Sequence, residues 1–105
     1  MKFGLPEKII EQINFVFAAF PQVEEAVLYG SRAKGNFKPG SDVDLTLKGS
    51  SLNLQVINAI SNQLYELPIP YKIDLSIYTQ IDNKDLLEHI KRVGVVFYRR
   101  GEQEI

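Results

Sequence analysis

The chain has 105 residues, 45% of them hydrophobic, with 12 basic and 13 acidic side chains, a formal net charge of -1 and no cysteine. This is enough for one small domain, residues 1–105, with a packed core; it excludes disorder, disulfides and cysteine chemistry, and a near-neutral balance argues against long nucleic acid as a partner. No apolar run is long enough to cross a membrane and no leader pattern opens the chain, so no membrane partner and a cytoplasmic location are expected.

Ile9, Ile13, Val16, Phe17 and Phe20 recur at helical spacing after Pro6, which predicts an amphipathic helix that stops at Pro21. The apolar run 26–29 predicts a strand, followed at Ser31 to Lys34 by at most one helical turn. From residue 42 to 48 the pattern alternates, with Val43, Leu45 and Leu47 on one face and Asp42, Asp44, Thr46 and Lys48 on the other. Val56, Ile57, Ile60, Leu64 and Leu67 mark a second helix, with Ser50 or Ser51 as its N-cap and Pro68 and Pro70 beyond its end. Residues 72–78 alternate again, Ile73, Leu75 and Ile77 against Lys72, Asp74, Ser76 and Tyr78. Asp82 caps a third long helix whose inner face is Leu86, Leu87 and Ile90, and Gly94 follows it. Residues 95–98 form a last strand, and 99–105 a loose polar tail. Strands with one aliphatic and one polar face predict an α/β (α+β) fold: a mixed sheet of about four strands, helices packed on one face, the other face open.

The densest chemistry lies between residues 30 and 45. Gly30-Ser31 ends the first strand, where glycine lets main chain approach a phosphate and N–H groups of the following turn can bind its oxygens. The loop beyond it is basic, and one of Arg32, Lys34 and Lys38 can neutralise a triphosphate; the spacing leaves open which. Ser41 closes the loop. Asp42 and Asp44 then point to one side of their strand, the arrangement that shares Mg²⁺ or Mn²⁺ with phosphate oxygens. Asp74, mid-strand where aspartate is disfavoured, is the candidate third carboxylate, as metal ligand and as acceptor of a proton from an attacking hydroxyl. The single histidine, His89, reads as a helix-end surface residue, and Arg99-Arg100 as solvated charge.

Gly30-Ser31, Asp42-x-Asp44 and Asp74 resemble the signature of the nucleotidyltransferase superfamily of DNA polymerase β. The runs Gly-Ser-Arg-Ala-Lys-Gly and Gly-Ser-Asp-Val-Asp-Leu look like the minimal nucleotidyltransferases of prokaryotes, MNT proteins, and the likeness spans nearly the whole chain. In place of the arginine or histidine often found before Gly-Ser-Asp, Lys38 stands two residues before Gly40. The resemblance implies the nucleotidyltransferase fold, catalytic and metal-holding roles for Asp42, Asp44 and Asp74, and nucleotide contacts from Gly30, Ser31, Arg32, Lys38 and Ser41. It implies ATP as donor with Mg²⁺ or Mn²⁺, and a small helical HEPN protein as partner. Two outcomes follow from it: an antitoxin that moves AMP onto a hydroxyl of a HEPN toxin, or a binding subunit with little activity of its own. A small-molecule acceptor is the third reading and needs a pocket that the sequence does not announce.

Overall fold

A computed structural model describes residues 1–101. The elements run α1 (Glu7–Ala18), β1 (Glu25–Tyr29), α2 (Ser31–Lys34), β2 (Val43–Lys48), α3 (Leu54–Tyr65), β3 (Ile73–Ile77), a single 3₁₀ turn at Tyr78–Gln80, α4 (Lys84–Val93) and β4 (Val95–Arg99). The sheet order is β3-β2-β1-β4, a mixed open sheet in which β2 and β3 are parallel and the other pairs antiparallel. A parallel pair needs a long crossover, and α3 supplies it between β2 and β3.

The expected alternation in β2 and β3 decides what the sheet covers. Val43, Leu45 and Leu47 are completely buried, together with Ile13 and Phe17 of α1 and Ile60 of α3. These side chains, with Leu5, Val23, Ala26, Leu28, Leu64 and Phe97, form one core between the sheet and the two long helices. α1 and α3 thus lie on the expected face. α4 does not join that core: its Ile90 is buried elsewhere, and the backbone at Gly94 comes against Val27, on the opposite face at β1. The amphipathic pattern at Leu86, Leu87 and Ile90 showed that α4 buries a face, without showing which side of the sheet receives it.

The caps differ in position from those expected. Asn53 Oδ1 accepts from Val56 N–H at 2.9 Å and Asn83 Oδ1 from Leu86 N–H at 3.0 Å, so asparagine starts both α3 and α4, in place of Ser50 or Ser51 and of Asp82. The C-terminal arginines belong to the folded body. Arg99 ends β4, and the Arg100 guanidinium donates to the carbonyls of Val23, Phe17 and Phe20 at 2.7 to 3.1 Å. Those bonds tie the last strand to the end of α1 and the loop after it; residues 102–105 of the expected tail lie outside the described residues.

Candidate active site

Strand register brings the acidic residues together. Asp44 pairs directly with Asp74 in the parallel ladder and with Tyr29 in the antiparallel one. Residues paired across a ladder share a face, so Tyr29, Asp44 and Asp74 form a row across three strands at about 4.8 Å per strand. Asp42 lies two residues before Asp44, just outside β2, and both Asp42 and Asp74 are exposed whereas Asp44 is half-buried. Below this row, Ser76 Oγ donates to the fully buried Thr46 Oγ1 at 2.9 Å.

The electrostatics follow from that crowding. Partial burial pushes the Asp44 carboxyl above the ordinary aspartate range, and the charges of Asp74 and Asp42 push it the same way. Burial likewise raises the Tyr29 phenol, with a hydrogen-bonding contact to Ser76 opposing it and Asp44 and Asp74 adding to the effect. Among the described residues no ion pair joins these carboxylates to a basic side chain, although the charge of His89 pulls Asp44 the other way, and a divalent cation would relieve this concentration of hard oxygen donors. Among the described residues, no three or more His, Cys, Asp and Glu side chains are grouped so that they alone could hold a metal ion. An open set fits Mg²⁺, which takes one or two carboxylates and draws its remaining ligands from phosphates and water.

Gly30 precedes α2 with φ +80°, a conformation glycine adopts freely, and a Cβ there would collide with the Asp44 carboxylate. The glycine is required by its carboxylate neighbour as well as by any phosphate. Its N–H donates to His89 Nε2 at 2.9 Å, and the His89 ring stands edge-on to Tyr29. An accepting Nε2 places the proton of a neutral imidazole on Nδ1. His89 therefore belongs to the site and not to a helix-end surface. No local signal reveals this, because 59 residues separate the partners.

The basic loop divides in two. Lys34 and Lys38 are exposed. Arg32 is only 2% exposed, and its guanidinium points inward to the carbonyls of Ser41, Pro39 and Phe3. Ser41 is also held within the loop: its hydroxyl accepts from Lys38 N–H at 2.9 Å. Ser31 begins α2 directly after Gly30 and is half-buried. The structure thus gathers Gly30, Asp44 and Asp74 tightly, sets Ser31 and Asp42 at the margin, and gives Arg32 and Ser41 partners inside the loop. A cleft of about 740 Å³ lies elsewhere, between α3 and the approach to β3, walled by Leu64, Tyr65, Leu67, Tyr71 and Ile73. It opens on the core side of β3, away from the Asp74 face.

The chain matches the model of the family "Polymerase beta, Nucleotidyltransferase" over residues 11–103. No curated protein sequence matches it. Among solved structures, a toxin-antitoxin crystallised with AMP-PNP superposes with a TM-score of 0.68 at 17% identity, covering 92% of this chain and 76% of the other. The complex of a tri-AMPylated Shewanella oneidensis HEPN toxin with its MNT antitoxin gives 0.65 at 14% identity, covering 89% and 71%. A provisionally assigned nucleotidyltransferase from Sulfolobus solfataricus gives 0.59 at 20% identity, covering 93% and 84%. These likenesses show a shared fold, and the family model covers nearly the whole chain with the acidic face inside it: the protein belongs to the polymerase β nucleotidyltransferase family.

Proposed function

We propose that this nucleotidyltransferase moves AMP from ATP onto a hydroxyl of a small helical HEPN-type partner in the cytoplasm and so acts as an antitoxin. The observation that carries the reading is the row Asp44–Asp74 with Asp42 beside it, on a sheet face next to the Gly30-Ser31 turn. Exposure of Asp42 and Asp74 favours a large acceptor: a protein side chain can reach them without an enclosing pocket. The fold neighbours whose descriptions name AMP-PNP and an AMPylated HEPN toxin support the same donor and acceptor.

In this reading Asp42 and Asp44 hold the nucleotide-bound cation, and Asp74 faces the incoming hydroxyl. A divalent cation bound there supplies neutralisation of the triphosphate and of charge developing on the leaving group. The hydroxyl oxygen forms a bond to the α-phosphorus, the bond between that phosphorus and the bridging oxygen breaks, and pyrophosphate leaves. Asp74 takes the hydroxyl proton. Ser31 and the main chain after Gly30 bind phosphate oxygens, with Lys38, exposed in the loop four residues before Asp42, as the basic residue that meets them. Arg32 and Ser41 contribute by shaping the loop.

A second reading, a non-catalytic nucleotide-binding antitoxin that inhibits by contact, draws on one observation: His89 already accepts from the Gly30 N–H. The two separate in one assay. The protein is incubated with labelled ATP, Mg²⁺ and a small helical HEPN-type protein, and both chains are followed by intact mass. Gain of AMP on the partner supports transfer; neutralisation of the partner without any gain supports inhibition by binding.

A further inference from the structure

We propose that Arg32 is a positioning residue, holding from inside the protein the main chain from which Asp42 projects. The inference rests on the reading of Asp42 as part of the nucleotidyl-transfer site.

Arg32 is an unusual buried cation because, among the described residues, none of its partners is a carboxylate. Its Nε and one Nη both donate to the Ser41 carbonyl, at 3.1 and 2.9 Å. The same Nη reaches the Pro39 carbonyl at 3.2 Å, and the other Nη the Phe3 carbonyl at 2.8 Å. The rings of Phe37 and Tyr71 each lie 5.1 Å from the guanidinium carbon. Carbonyl dipoles and ring faces together replace the water that the cation has lost. A buried charge is costly, and an apolar side chain of similar volume would fill the space more cheaply, so its value lies in geometry. Phe3 adopts φ +58°, rare for a non-glycine residue, and in that turn its carbonyl meets the guanidinium.

Asp44 and Asp74 stand on strands whose ladders hold them. Asp42 stands outside β2, where no ladder extends. Its main chain is fixed on one side by the Arg32 grip on Ser41 and on the other by the Val43 N–H, which donates to the Lys72 carbonyl at 2.9 Å. Arg32 does for Asp42 what the sheet does for Asp44. A planar fork spreads its donors over three nitrogens, whereas the three donors of a lysine ammonium leave from one atom and do not span the separate positions of these carbonyls.

The test is Arg32→Lys in the full chain. Amide hydrogen exchange without metal or nucleotide is compared with wild type at Ser41 and Val43 and, as reference, at Leu28 and Leu45 in the β1–β2 ladder. Exchange at Ser41 and Val43 should quicken at least tenfold while the reference amides keep their protection. In parallel, calorimetry with Mn²⁺ should show ATP bound at least tenfold more weakly by the variant, and ATP affinity in EDTA unchanged. If Arg32→Lys does not fold, Tyr71→Leu removes one ring face and should move the same two amides in the same direction, about threefold. Unchanged exchange at Ser41 and Val43, or equal loss of protection everywhere, overturns the proposal. Weakened ATP binding with unchanged exchange also overturns it and gives Arg32 a direct contact with the triphosphate. Failure of wild type to bind ATP in a metal-dependent way would count against the proposed function alone, because the exchange measurement involves no metal.

Discussion

The two faces of the sheet are made of the same strands and have opposite energetic character. On one, Val43, Leu45 and Leu47 are sealed in the hydrophobic core with side chains of α1 and α3. On the other, the alternate residues place Asp44 between Asp74 and Tyr29, and partial burial, then the like charges of Asp74 and Asp42, push the Asp44 carboxyl toward its protonated form. The first face supplies the stability that the second spends. Such a division is expected where a rigid scaffold must hold groups that repel one another until a ligand arrives.

The largest expected effect falls on the acidic face and is read in nucleotide transfer. Asp44→Asn keeps the shape and removes a charge, and nucleotide transfer should fall by about three orders of magnitude, roughly 4 kcal/mol of barrier. Circular dichroism should stay as in wild type. Transfer within tenfold of wild type would break the contrast between the faces.

On the core face the expected effect is on folding. Leu45→Ala removes a fully buried side chain between the sheet and the helices, which costs about 2–5 kcal/mol. Thermal melting should show a fall of at least 8 °C at the scale of about 4–8 °C per kcal/mol for a domain of this size. A smaller fall would mean that α1 and α3 do not depend on β2 for their packing.

The smallest effect sharpens the comparison, because it has the opposite sign from ordinary mutation. A carboxyl whose affinity for its proton is raised by folding destabilises the native state once it is charged. Its cost is absent below the ordinary aspartate range and grows as pH rises through that range toward the raised native value. Asp44→Asn, without nucleotide, should therefore melt a few degrees higher than wild type at neutral pH, and the gain should vanish in acid. A variant that melts lower than wild type at neutral pH would mean that Asp44 is satisfied where it stands.

What the sequence made legible divides along the same lines. Period-two alternation in 43–48 and 73–77 was enough to assign Asp44 and Asp74 to the face away from the core, because side-chain direction in a strand is local. That the two lie opposite each other was not legible, since register is set by pairing between strands thirty residues apart. Arg32 shows the sharper gap. In sequence it reads as one of several loop cations available to a phosphate; in space Phe3 and Tyr71, from two distant segments, and Phe37 of its own loop enclose it. His89 is similar, since its meeting with Gly30 depends on which side of the sheet α4 takes. Capping was legible as chemistry and displaced in position, because serine, aspartate and asparagine all accept the same N–H bond and sit within a few residues of one another.

The central claim is that the acidic face is a site of nucleotidyl transfer, with Asp74 serving the acceptor and not the nucleotide. The most direct measurement compares wild type with Asp74→Asn on two readouts: ATP affinity by calorimetry with Mg²⁺, and AMP transfer to the helical partner by intact mass. The account predicts ATP affinity within about threefold of wild type and transfer reduced by two to four orders of magnitude, a loss in kcat. Transfer at the wild-type rate would contradict it.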